Sequence, residues 1–162
     1  MKKIQKEEKS YYDVFVAYDG TEFRDKEDCK KYESSAYAIL DMRYRTLILK
    51  DSNEECILGY GCCEDTVHVI KVKNQAEADM VMQLYLFINS YLQEDANKNE
   101  DYAIGQIKRV QNLLDRSIKE DDVLIIGRGY NPNESFWFMG TSESLKEQID
   151  DFCTPDKEDD NA

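Results

Sequence analysis

The 162-residue chain has little of what punctuates or disorders a backbone, with 7 glycines and 2 prolines. That excludes a collagen-like repeat and a low-complexity linker. Histidine is nearly absent, so a histidine-dependent mechanism has one candidate, His68. No run approaches the roughly 20 apolar residues of a membrane-spanning helix. Positive charge is scarce too: 21 Lys and Arg stand against 34 Asp and Glu, for a net charge of −13. A phosphate loop with its lysine is missing. The pairs Gly59/Gly61 and Gly127/Gly129 lack the third glycine and the helix start of a dinucleotide fingerprint. Nucleotide binding through a standard loop is not expected, and Gly129 is expected to serve a hairpin bulge.

What is present argues for a soluble globular domain. Eleven Tyr, 6 Phe and 1 Trp are more than a disordered chain carries. The length suffices for one core without cross-links. Residues 1–10, with four lysines against two glutamates, read as a basic N-terminal arm. No apolar stretch follows them, so no export signal is expected. Residues 11–153 read as a single domain, with a division into two lobes near 93–101 as an option. Residues 154–162 read as an acidic disordered tail. Five cysteines without an export signal point to free thiols in a reducing cytosol.

Periodicity supplies the elements. Residues 12–18 alternate as a well-buried strand, Asp19-Gly20 signals a turn, and Thr21 to Phe23 returns. Asp25 caps a long amphipathic helix over 26–48, with Cys29, Tyr32, Ala36, Ile39, Leu40 and Tyr44 on its stripe. Residues 50–65 form a polar connection, in which 56–60 can make a short strand. A strand follows over 66–73. Asn74 caps a second helix reaching Tyr91, and 93–101 reads as a solvated loop. A third helix spans 103–118. Strands at 123–127 and 135–139 form an aromatic hairpin, and Ser142 caps a last helix. The order β-β-α-(β)-β-α-α-β-β-α predicts an α+β fold, with helices packed on a largely antiparallel sheet.

The chemistry-bearing residues are few. Cys56, Cys62, Cys63 and His68 have the spacing C-x5-C-C-x4-H, which matches no zinc site, and adjacent strand cysteines point to opposite faces. No metal and no cofactor is expected. A packed histidine among buried thiols is favoured over a Cys62 or Cys63 nucleophile with His68 as base. The acidic pairs lie outside apolar runs, so burial does not tune them as acid and base, and no catalytic residue is assigned. On the second hairpin, Phe136 and Phe138 are expected to face the core and Trp137 the other side. Trp, Tyr and Arg concentrate binding energy at interfaces. The expected partner-binding set is therefore Arg128, Tyr130 and Trp137, joined by the acids Asp121 and Asp122.

The segment Tyr12 to Phe23, followed by Asp25, Cys29, Tyr32 and Glu33, resembles a unit of small phage and prophage proteins of unassigned function: a strand, an Asp-Gly-Thr-x-Phe turn and an acidic Cys-x-x-Tyr-Glu helix start. The likeness covers residues 12–33 and implies a mobile-element origin, with no catalytic residue. The charge adds a function class. A strongly acidic surface repels phosphate backbones and attracts basic ones. The expectation is a cytoplasmic phage or mobile-element protein that binds and inhibits a basic, nucleic-acid-binding host protein. A nuclease of a defence system fits, blocked by nucleic-acid mimicry in the manner of an anti-CRISPR protein. The alternatives are a small metal- or Cys/His-dependent hydrolase, or a subunit of a larger complex. Neither direct nucleic-acid binding nor membrane binding is expected.

Overall fold

The computed structural model describes residues 12–52, 65–129 and 135–153. The order is β1 (Phe15–Val16), β2 (Glu22–Phe23), α1 (Lys26–Glu33), α2 (Ala36–Arg45), β3 (Ile48–Ser52), β4 (Asp65–Ile70), α3 (Gln75–Ile88), α4 (Ser90–Asn97), α5 (Asp101–Lys119), β5 (Leu124–Gly129), β6 (Ser135–Thr141) and α6 (Ser142–Cys153). The fold is α+β, with helices packed on an antiparallel sheet. The chain divides into two compact units, Met1–Met42 and Arg43–Ala162. The segment 93–101 lies inside the second unit, as the end of α4 and the start of α5 rather than an open loop.

In the first unit, Asp19 and Gly20 turn the chain between β1 and β2. The Gly20 N–H donates to the Ala17 carbonyl at 3.0 Å, and the Ala17 N–H to Thr21 at 2.9 Å. Gly20 sits at φ +92°, a conformation that side chains rarely adopt. Asp25 caps α1 by accepting from the N–H groups of Glu27 and Asp28. The predicted single helix is broken at Ser34 and Ser35. Ser34 ends α1, while the Ser35 hydroxyl accepts from the Ala38 N–H at 3.1 Å and starts α2. Hydroxyl capping outcompetes continuation there. The expected burial of the first strand is also corrected. Tyr12, Val14 and Val16 are exposed, because in a two-stranded ribbon that face has no layer against it.

In the second unit the sheet order is β3-β4-β5-β6, with every neighbour antiparallel. Asn74 caps α3 through Glu77 N–H at 3.0 Å. Helices α3 and α5 pack against β6, and α5 also against β5. Strand alternation sends Ile70, Leu124, Ile126, Phe136 and Phe138 into the buried layer, where they meet Val81, Leu84, Val110 and Leu114. Asn89 interrupts the second predicted helix, splitting it into α3 and α4. Its amide donates to the Tyr85 carbonyl and, at 3.0 Å, to the Phe136 carbonyl. The irregularity of the β5–β6 pairing falls between Ile125 and Ile126, opposite Met139, and not at Gly129, which pairs regularly with Ser135.

Candidate functional site

The β5–β6 hairpin carries two chemically different faces. On the inner one, Arg128 pairs across the ladder with Phe136 and with Thr66, and His68 pairs with Ile126. The Arg128 guanidinium carbon lies 4.9 Å from the Phe136 ring centre and 5.2 Å from that of Tyr44. Tyr44 meets Phe136 edge-on at 5.3 Å and 72°. Its hydroxyl is 2.8 Å from His68 Nδ1. Tyr85 closes the layer against Phe136 and Phe138. Arg128, Tyr44 and His68 are all buried, Arg128 completely. A guanidinium held between ring faces gains cation–π attraction in place of water.

This corrects one expectation. The partner surface expected for Arg128 is not where it lies: the strand's period of two places it beside Phe136, under the helices. A wholly enclosed cation organises the core and does not touch a partner from there. His68 likewise lies in the buried layer, hydrogen-bonded to Tyr44.

The outer face carries Trp137, half-buried and flanked by Val67, Val69, Ile125 and Met139, all half-buried. Trp137 is paired with Gly127, and its indole occupies the space a side chain at that glycine would take. A Cβ at position 127 would meet indole carbons and the ring nitrogen at 2.0–2.3 Å. The absence of a side chain at 127 is thus what lets Trp137 lie against the sheet. Phe136 and Phe138 face inward and Trp137 outward, the alternation the sequence implied.

The two acids differ. Asp121 follows α5 at φ +54°. Lys71 Nζ contacts its carboxylate at 2.8 Å and also donates to its carbonyl oxygen. The carboxylate stays 91% exposed and available to a partner. Asp122 is engaged by the fold instead. It accepts from Ser142 Oγ at 2.5 Å, Glu143 N–H at 3.0 Å and Val123 N–H at 2.7 Å, capping the start of α6. Partial burial opposes the charge, but these donors prevail and hold its carboxyl below the ordinary range. Tyr130, Cys56, Cys62 and Cys63 lie outside the described residues. Among the described residues no group of three or more His, Cys, Asp and Glu is placed to hold a metal ion. No helix among them is long and apolar enough to cross a membrane.

Charge is distributed unevenly. On α1, Lys30 pairs with Glu27 and Lys31 with Asp28; on α6, Lys146 pairs with Glu143. Between residues 75 and 101, Glu77, Asp79, Glu94, Asp95, Glu100 and Asp101 meet a single base, Lys98. The next helix reverses the sign. Lys108, Arg109 and Arg116 line an open groove of about 400 Å³ along α5, with Gly105, Asn112 and Leu113. Sequence reading passed over this groove, although Gly105, Lys108, Asn112 and Arg116 stand at helical spacing that could have revealed it. Comparison with family models, curated proteins and solved structures returned no match.

Proposed function

We propose that the protein is a non-enzymatic acidic binding protein of a phage or mobile element. It acts in the host cytosol by occupying a basic, nucleic-acid-binding host protein, such as a nuclease of a defence system, and inhibiting it. The observation that supports this is the nearly base-free run of carboxylates on α3, α4 and the start of α5, in a chain of net charge −13. Where lysines alternate with acids, as on α1, fields cancel at short range. The mimicking surface is therefore the 75–101 region. Trp137 on the outer sheet face is the aromatic anchor, and Asp121 an accessible acid.

The test is competition. The immobilised protein is used to capture partners from a host lysate, and each captured protein is assayed for duplex DNA binding with and without an equimolar amount of this chain. The expected result is loss of DNA binding, relieved by Asp79→Asn with Glu94→Gln and Asp101→Asn. Undiminished DNA binding by every captured protein would overturn the reading. Trp137→Ala is expected to weaken capture about tenfold or more, the loss of one hot-spot residue.

A further inference from the structure

The outward stripe of α5 carries both signs of charge. Asp101 opens the helix, Lys108 and Arg109 follow two turns on, and all three are exposed. Among the described residues none of the three has an ion-pair partner. Side chains seven or eight residues apart lie about 10–12 Å apart along one helix, beyond the three- and four-residue spacings that touch. Between them stands Gly105, an exposed glycine inside a 19-residue helix, with nothing within 4 Å of where its Cβ would stand. Alanine would favour the helix at that position, so packing among the described residues does not account for the missing side chain. A second helix crossing close over the backbone does.

The helix period sets the neighbours of Gly105 on two flanks. At about 100° per residue, Asp101 and Lys108 fall about 40° and 60° to one side, and Tyr102 and Arg109 about 60° and 40° to the other. Tyr102 is 68% exposed. An antiparallel copy of α5, related by a two-fold axis at Gly105, brings its Lys108 within one residue's rise of Asp101 on the first flank. On the second flank it brings its Arg109 within one residue's rise of Tyr102. A parallel copy in register would instead set Asp101 on Asp101 and Lys108 on Lys108.

We infer that α5 is the contact face of a homodimer, in which two copies cross antiparallel at Gly105, with Asp101 on Lys108 and Tyr102 on Arg109. A chain of net charge −13 repels its own copy at long range. This face reverses that repulsion locally, because its cations stand exposed beside an acid and a ring. An exposed ion pair is weak alone, and a cation–π contact is modest. The two-fold makes each of them twice and closes the assembly at two copies. The absent side chain at 105 lets the backbones approach.

The test is sedimentation equilibrium of the full-length chain from about 1 μM to about 1 mM, the range of weak specific contacts. The expected mass climbs from 19.0 kDa toward twice that value. Gly105→Leu, at a position with open space around it, is expected to keep the urea unfolding midpoint. It should raise the dissociation constant about tenfold or more, as overpacking at a contact does. Asp101→Lys and Lys108→Asp are each expected to stay monomeric alone, like charge then facing like. Mixed together they should associate, since each supplies the sign that the other lacks. A chain that stays at 19.0 kDa throughout overturns the inference and leaves the face to a partner of another kind. So does a dimer that survives Gly105→Leu, or a mixture of the two charge variants that remains monomeric. No readout involves a host protein, so failure here is distinct from failure of the binding function proposed above.

Discussion

The two units are knit by different chemistry. In the first, tyrosines and carboxylates do the joining. The Tyr32 hydroxyl donates to Asp19 at 2.6 Å, Tyr18 to the buried Asp41 at 3.0 Å, and the Tyr18 N–H to Glu33 at 3.2 Å. Tyr32 stacks on Tyr18 and tilts against Phe23. In the second, an apolar layer dominates; within it the Arg128 guanidinium lies over the Tyr44 and Phe136 rings, and His68 is hydrogen-bonded to Tyr44. Hydrogen bonds to charged groups are individually modest and depend on pH. Apolar burial is larger per residue and indifferent to pH. The difference predicts where each unit breaks.

The largest effect is expected at Phe136. It is buried against Tyr44, Tyr85 and Phe138 and lies under the Arg128 guanidinium. Phe136→Ala should cost about 3–5 kcal/mol, measured by urea unfolding followed through Trp137 fluorescence. A loss under about 1 kcal/mol would mean that the aromatic layer is not what holds the second unit.

Next comes Gly127→Ala. The added methyl displaces the indole that covers it, at about 1–3 kcal/mol for overpacking. The emission of Trp137 should shift to the red as the ring leaves the sheet. An unchanged spectrum would show that the contact is easily relieved.

The smaller, pH-dependent effect belongs to the first unit. Burial, followed by the hydrogen bond to Asp19 and its charge, pushes the Tyr32 phenol up to about 12. Burial and then Asp41 also raise Tyr18. The fold therefore favours the protonated phenols. Their stabilisation is complete below the ordinary tyrosine value and fades as pH climbs from about 10 through about 12. Asp19 runs the other way. Burial opposes its charge, but the donors Tyr32 and Thr21 lower its pKa, so its contribution is present above the ordinary carboxylate value and lost as pH falls through the folded one. Tyr32→Phe should cost about 1–2 kcal/mol at neutral pH. It should also flatten the alkaline decline and raise the Asp19 pKa, readable by carboxyl NMR. An alkaline decline identical to the parent's would assign it elsewhere, with Tyr85, also raised by burial, the next candidate.

The same contrast explains what was legible in the sequence. Turn and cap chemistry is local, so the Asp19-Gly20 turn, the Asp25 and Asn74 caps and the hairpin alternation of Phe136, Trp137 and Phe138 could be read residue by residue. The breaks at Ser34-Ser35 and Asn89 were hidden, because apolar spacing continued across them while side chains captured the backbone. Arg128 was misplaced for a different reason. Hydropathy assigns arginine to the surface, and only the register opposite Phe136 reveals the ring-lined site. The role of Gly127 requires knowing which residue lies across the ladder, and the meaning of Asp122 requires knowing where α6 begins.

The functional account rests on electrostatic recognition, and the salt dependence of affinity tests it most directly. For a captured basic partner, the dissociation constant is to be measured by titration from about 0.05 M to about 0.2 M salt, the range over which polyanion contacts weaken by orders of magnitude. The account predicts a steep, linear weakening on logarithmic axes, shallower in Asp79→Asn/Glu94→Gln/Asp101→Asn. An affinity that holds constant across the series would contradict it.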